Sequence, residues 1–110
     1  MRRVLLIDHS DEHAVDLKAA LRLRGFEVSI EDQCWRAIHA LRQRVTEWEF
    51  VLVVARNDPE RDLNLLRDLI LASQQFQQSG LPEFLFASCV RCAPSLRIQI
   101  GKMGARYVRI

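Results

Sequence analysis

The sequence predicts an α/β fold in which short buried strands alternate with amphipathic helices. Two observations support this prediction. Five short apolar segments recur along the chain, and segments with apolar residues at helical spacing separate the first four of them. Strands and helices that alternate in this way form βαβ units, which pair as a parallel sheet with right-handed crossovers and helices on both faces.

The predicted strands are short runs of apolar residues, as expected where a parallel strand is buried on both faces. The first run follows the basic pair Arg2 and Arg3, and the third run is the most apolar in the chain. In chain order, the predicted strands are residues 4–7, 26–30, 50–54 and 84–87, and a fifth that includes residues 107–108.

Three helices are predicted between the first four strands, because apolar residues there recur every three or four positions. Ser10 and Asp11 can cap the first helix, and Gly25 follows it where a positive φ is favoured. A loop that includes Asp58 precedes the third and longest helix. The residues that define the three helices are Ala14, Leu17, Ala20 and Leu21; Cys34, Ala37, Ile38, Leu41 and Val45; and Leu63, Leu66, Leu69, Ile70 and Phe76.

The stretch from residue 96 to the end of the chain fits two predictions. Leu96, Ile100 and Met103 suit a short helix that leads into a fifth strand, and this is the favoured prediction. Residues 96–100 also alternate between apolar and polar side chains, which suits a hairpin closed by the two glycines that follow.

Length and composition are typical of one small globular domain. The chain has 110 residues, of which 49% are hydrophobic and 27% are charged, so a single domain over residues 1–110 is predicted. No apolar run approaches the roughly 18 residues that a membrane span needs. The N-terminus carries two basic and then four apolar residues, too few for a signal peptide, and three cysteines cannot all pair. These features predict a cytoplasmic protein.

The net charge of +2 conceals an uneven distribution along the chain. Residues 1–83 carry 11 basic and 14 acidic side chains, whereas residues 84–110 carry five basic side chains and no acidic one. The C-terminal segment is therefore a basic region attached to a slightly acidic body.

The order of these segments resembles the receiver domain of bacterial response regulators, the CheY-like family. The resemblance covers nearly the whole chain and rests on the joint order of several short motifs. These are residues 4–8, Leu17, Leu21, residues 24–28, residues 49–53, Leu81 with Pro82, Gly104 with Ala105, and Tyr107 with Val108. The resemblance implies a flavodoxin-like, doubly wound parallel sheet of five strands in the order 2-1-3-4-5, with a site at the carboxyl ends of the strands.

Receivers accept a phosphoryl group on an aspartate, and the resemblance assigns a position to each part of this chemistry. A carboxylate nucleophile ends the third strand, and acidic residues after the first strand hold Mg²⁺. A hydroxyl after the fourth strand and a lysine after the fifth bind the phosphoryl oxygens. The corresponding residues here are Asp8 and His9 after strand one, Val54 on strand three, Ala87 with Ser88 beside it on strand four, and Arg109 near the lysine position.

Of these positions, only Asp8 keeps the residue that the family requires. His9 is a poor Mg²⁺ ligand, and Val54 cannot be phosphorylated. The sequence therefore predicts a degenerate receiver, or pseudo-receiver, that is not an enzyme, needs no cofactor and no metal, and acts by protein–protein contact. The alternative is residual Mg²⁺-dependent phosphoryl acceptance, in which Asp58 folds back to replace the missing acceptor.

The resemblance also places an output surface on the fourth helix and the fifth strand, where the basic residues concentrate. We expect this surface to meet an acidic protein partner or a second copy of the chain in a dimer. The mild pI and the absence of a helix-turn-helix pattern do not favour nucleic acid. The predicted surface consists of Arg91, Arg97, Lys102, Arg106, Tyr107 and Arg109.

Two further features of the C-terminal part remain open at this point. Family members carry a fifth helix after the last strand, and this sequence stops at Ile110. A longer protein, a dimer that covers the bare sheet face, or a rearranged C-terminus would each explain the difference. Cys89 and Cys92 have the spacing of a metal or dithiol motif, and with His9 they form the alternative prediction of a thiol or metal sensor.

Overall fold

The computed structural model describes residues 2–7, 11–43, 48–55, 59–74, 82–88 and 93–109. Strands and helices alternate throughout these ranges, and none of the described helices is long and apolar enough to cross a membrane. In chain order the elements are β1 (Arg2–Ile7), α1 (Asp11–Leu23), β2 (Phe26–Glu31), α2 (Cys34–Gln43), β3 (Trp48–Ala55), α3 (Pro59–Gln74), β4 (Glu83–Ser88), α4 (Pro94–Lys102) and β5 (Arg106–Arg109).

The five strands form one parallel sheet in the order β2-β1-β3-β4-β5. β1 lies between β2 and β3, although α1, β2 and α2 separate it from β3 along the chain. The flavodoxin-like α/β fold that the sequence predicted is therefore confirmed, including the strand order.

The sheet separates two apolar clusters, because successive side chains of a strand point to opposite faces. Leu5, Val53 and Phe86 point to the face that α2, α3 and α4 cover, and this cluster is the larger one. Leu6 and Val54 point to the other face, where the partly buried Leu17 and Leu21 of α1 pack against them. Among the described helices, three therefore cover one face and one covers the other.

Two glycines end helices by adopting a conformation that other residues rarely take. Gly25 follows α1 with φ +88° and donates its backbone N–H to the Arg22 carbonyl over 3.0 Å. Gly104 follows α4 with φ +85°, and the next residue, Ala105, donates to the Ile100 carbonyl over 3.2 Å. This backward bond satisfies a terminal helix carbonyl and turns the chain into β5.

The last part of the chain folds as helix and strand, so the hairpin alternative for residues 96–110 is wrong. Leu96 and Ile100 lie one turn apart and both are buried, which favours a helix once the sheet supplies an apolar surface. Two predicted helix ends, at Val45 and Phe76, and the predicted cap Ser10 lie outside the described residues.

Gly101 differs from the two turn glycines because neither its backbone nor its surroundings require glycine. It lies inside α4 without a positive φ, and a Cβ added there would meet no atom within 4 Å. We expect Gly101→Ala to raise the free energy of unfolding by about 0.5–1 kcal/mol, because glycine is a poor helix former. Gly104→Ala should instead lower it by about 1 kcal/mol or more, because alanine is strained at positive φ. Urea denaturation followed by circular dichroism measures both changes, and a destabilised Gly101→Ala would contradict the first.

Candidate functional site

The carboxyl ends of β3, β4 and β5 bring several of the predicted site residues into two adjacent rows. Val54 of β3 lies beside Ala87 of β4 in one row. The next row places Ala55 beside Ser88, and Ser88 beside Arg109 of β5. The family resemblance requires a hydroxyl and a cation at the site. Ser88 and Arg109 supply them, but both are level with Ala55, one position beyond Val54.

The end of β3 offers no nucleophile in either row. Val54 is 2% exposed and Ala55 is fully buried, and both side chains are saturated hydrocarbon. An acyl phosphate forms only on a carboxylate oxygen, so neither residue can accept a phosphoryl group. Ser88 is also fully buried, and it makes an interaction within the chain.

Several residues that the sequence singled out follow these strand ends but lie outside the described residues. β1 ends at Ile7, so its carboxyl end directly precedes the first of them. Within the described ranges, no group of three or more His, Cys, Asp or Glu side chains could hold a metal ion. The predicted site residues outside these ranges are Asp8, His9, Asp58, Cys89, Arg91 and Cys92.

A buried carboxylate in the first turns of α3 was not predicted from the sequence. Asp62 is only 6% exposed, and it makes an interaction within the chain, as burial of a charged group requires. A signal was present, because Asp62 precedes Leu66 and Leu69 at the helical spacing of the buried stripe. At this exposure the carboxylate is shielded from a phosphodonor in solution.

The basic surface is built around a contact between α4 and β5. Arg97 is exposed, and its guanidinium lies over the ring of Tyr107, 4.8 Å from the centroid. The Tyr107 ring packs against the larger apolar cluster. Its hydroxyl is buried without a hydrogen-bond partner among the described residues. Arg97 is therefore held at the surface by a partly buried ring that packs against the core.

The structure divides the predicted basic surface between the two faces of the sheet. Arg106 lies beside Leu85, whose side chain belongs to the α1 side, whereas Tyr107 lies beside Phe86, on the α4 side. Arg106 is also paired with Glu83, with 3.3 Å between its Nη2 atom and the carboxylate. Arg97 and Lys102 lie on the α4 side. Arg109 lies there too, because side chains alternate along β5 and Arg109 follows Tyr107 by two positions.

Two residues on the outer side of α4 were missed by the sequence reasoning. Ile98 is 58% exposed, and it lies about half a turn from the buried Leu96 and Ile100. Gly101 follows it by three positions and is exposed on the same side. The alternation of residues 96–100 is the signal that could have found Ile98, since in a helix it places an apolar residue opposite the core.

Known structures with similar folds include response regulators and receiver domains. A response regulator receiver domain protein from Clostridium thermocellum superposes with a TM-score of 0.78 at 15% identity, over 99% of this chain and 82% of that one. A response regulator from Thermotoga maritima gives 0.77 at 24% identity, over 99% and 84%. A response regulator from Burkholderia pseudomallei, solved with a phosphorylated aspartic acid, calcium ion and citrate, gives 0.68 at 22% identity, over 99% and 59%.

The similarity lies in the three-dimensional structure rather than in the amino-acid sequence. No protein-family model matches the sequence, and no curated protein matches it. The agreement extends over almost the whole chain and includes the five parallel strands in their order. The chain therefore has the fold of the CheY-like receiver domain.

Proposed function

We propose that this chain is a pseudo-receiver: a signalling module of the response regulator type that works through protein–protein contacts and is not switched by aspartyl phosphorylation. The observation that carries the proposal is the end of β3, where Val54 and Ala55 are buried aliphatic residues. A receiver requires a carboxylate there, and a module that lacks it still offers its fold as a binding surface.

The contact surface that we propose lies on α4 and β5. Arg97, Lys102 and Arg109 are exposed on this side, and the sequence contains no acidic residue after Glu83. An unbalanced cluster of exposed cations attracts an acidic surface and repels a basic one. The partner is therefore an acidic protein or, less well matched in charge, a second copy of this chain.

Phosphoryl transfer gives the first test. Incubation of the purified chain with acetyl phosphate and Mg²⁺ should leave its intact mass unchanged, because no described residue at the end of β3 can form an acyl phosphate. The response regulator from Burkholderia pseudomallei serves as the positive control, since its structure carries a phosphorylated aspartic acid.

The opposite outcome would establish the alternative function. A phosphate adduct that requires Mg²⁺ and disappears in Asp58→Asn would show that Asp58 replaces the missing acceptor, and Asp8→Asn would then test the metal-binding role of Asp8. A stoichiometric metal in protein purified without chelator, lost in Cys89→Ser, would support the sensor reading instead.

Charge reversal gives the second test. The double variant Arg97→Glu, Lys102→Glu should weaken association at least about tenfold, because reversed charges on this surface repel an acidic partner. Quantitative capture from a lysate of the native cells and sedimentation of the pure protein measure association with a partner and with a second copy.

The matched control is Arg22→Glu, which reverses an exposed arginine in the last turn of α1, on the other side of the sheet. Arg106→Glu should have an intermediate effect, because Arg106 points away from α4 and is already paired with Glu83. The proposed surface would be contradicted if the α4 variant and the α1 control weakened association equally, or if the unmodified chain associated with neither a partner nor a second copy.

A further inference from the structure

The edge of the sheet where the strands begin carries an excess of positive charge. Each crossover helix runs back against the strands, so the last turns of the helices lie at this edge, which we call the amino-terminal edge. Glu27, Glu49 and Glu83 lie at the starts of β2, β3 and β4, and each is paired with an arginine over 3.3 or 3.4 Å. Against these three carboxylates, the described part of the edge carries seven cations, which are Arg2, Arg3, Arg22, Arg24, Arg42, Lys102 and Arg106.

An exposed apolar side chain lies at the same edge. Leu23 is the last residue of α1 and is 89% exposed, more than any other large hydrophobic residue that the structure describes. Arg22 and Arg24 flank it and are exposed, and Gly25 then turns the chain into β2. A helix favours cations in its last turn through its own dipole, so the charge alone would not assign a function. The dipole does not account for an aliphatic side chain in solvent between two arginines.

The amino-terminal edge is too wide for a small ligand. Arg24 precedes β2 at one end of the sheet, and Lys102 ends the helix that leads to β5 at the other end, so four strand spacings of about 4.8 Å separate the two strands. Arg22 ends a helix on one face of the sheet, whereas Arg42 and Lys102 end helices on the opposite face. A single phosphate or carboxylate group reaches few of these cations, while an extended anionic surface faces them together.

We infer that the amino-terminal edge binds the surface of an anionic lipid membrane, with Leu23 inserted between the lipids and the flanking arginines at their phosphate groups. A guanidinium forms forked hydrogen bonds with phosphate oxygens. Each cation near such a surface strengthens binding about fivefold, and the burial of one leucine side chain adds about tenfold or more. An excess of four charges together with one leucine therefore gives weak, reversible attachment, comparable to that of a single acyl chain.

Two other partners fit this edge less well. Duplex nucleic acid also presents phosphates over this distance, but it would leave Leu23 in water. An acidic protein would match the charge, but an interface between proteins has a packed apolar centre, and the neighbours of Leu23 in the chain are two exposed arginines. The amino-terminal edge shares only Lys102 with the contact surface proposed above.

Sedimentation with sucrose-loaded vesicles tests the inference on the full chain. The chain should pellet saturably with vesicles of phosphatidylglycerol and phosphatidylcholine mixed at about 3 to 7, and it should stay in the supernatant with phosphatidylcholine alone. Binding should fall several-fold between about 0.1 M and 1 M salt, because the Debye length shrinks from about 10 Å to about 3 Å. A sample without vesicles corrects for any chain that pellets by itself.

Three variants test the two parts of the amino-terminal edge. Leu23→Ser should weaken vesicle binding about tenfold or more, because the inserted side chain is lost. Leu23→Trp should strengthen it, because tryptophan favours the interface between membrane and water. Leu23 is almost fully exposed, so neither change disturbs the core. Arg24→Glu should weaken binding about tenfold or more, because an attraction becomes a repulsion.

The matched controls lie at the opposite edge of the sheet, where α2 begins. Trp35 is 63% exposed there, and the guanidinium of Arg36 lies 5.2 Å from the centre of its ring. Trp35→Ser and Arg36→Glu remove an exposed apolar side chain and reverse an exposed arginine, and both should leave vesicle binding unchanged. Leu23→Ser should also leave association with a protein partner unchanged, so the two surfaces can fail independently.

Several outcomes would overturn the inference. These are no pelleting with the anionic vesicles, equal pelleting with phosphatidylcholine alone, and unchanged binding by Leu23→Ser. An equal loss in Trp35→Ser would move the contact to the opposite edge of the sheet. Tighter binding to a DNA duplex or to polyglutamate than to the anionic vesicles, compared at equal concentrations of negative charge, would assign the amino-terminal edge to nucleic acid or to an acidic protein.

Discussion

A parallel sheet must be covered on both faces, and the rest of this structure depends on that constraint. Its strands are joined by crossovers, and each crossover is a helix that returns over the sheet. The central strands β1 and β3 consequently carry aliphatic residues on both faces, as Leu5, Leu6, Val53 and Val54 do. The same requirement is met at the end of β3, where Val54 is buried in the smaller apolar cluster.

The elements that repeat a simple pattern could be predicted from the sequence. Short runs of apolar residues predicted the strands. Gly25 and Gly104 adopt the positive φ that is expected after helices. The stretch after Pro94 could not be decided by periodicity, because residues 96–100 satisfy both a strand and a helix. In the structure this stretch is helical, and Leu96 and Ile100, one turn apart, are both buried in the larger apolar cluster.

The site was less predictable than the fold, because it depends on register and on which face a side chain takes. The family resemblance assigned Val54, Ala87, Ser88 and Arg109 to one site. Val54 and Ala87 are neighbours in the sheet, but Ser88 and Arg109 lie one position further along their strands, level with Ala55. The family resemblance groups Arg106 with Arg97, because it places the output surface on the fourth helix and the fifth strand. A single step along β5 sends Arg106 to the opposite face, which no count of charges can reveal.

The order of the strands also determines how the chain can reach its folded state. Each described strand pair is parallel, so no two strands can zip together from a tight turn. β1 pairs with β3 although α1, β2 and α2 lie between them along the chain, so these native contacts join residues that are far apart in sequence. Chains of high contact order fold slowly, because a long loop must close before its contacts stabilise it.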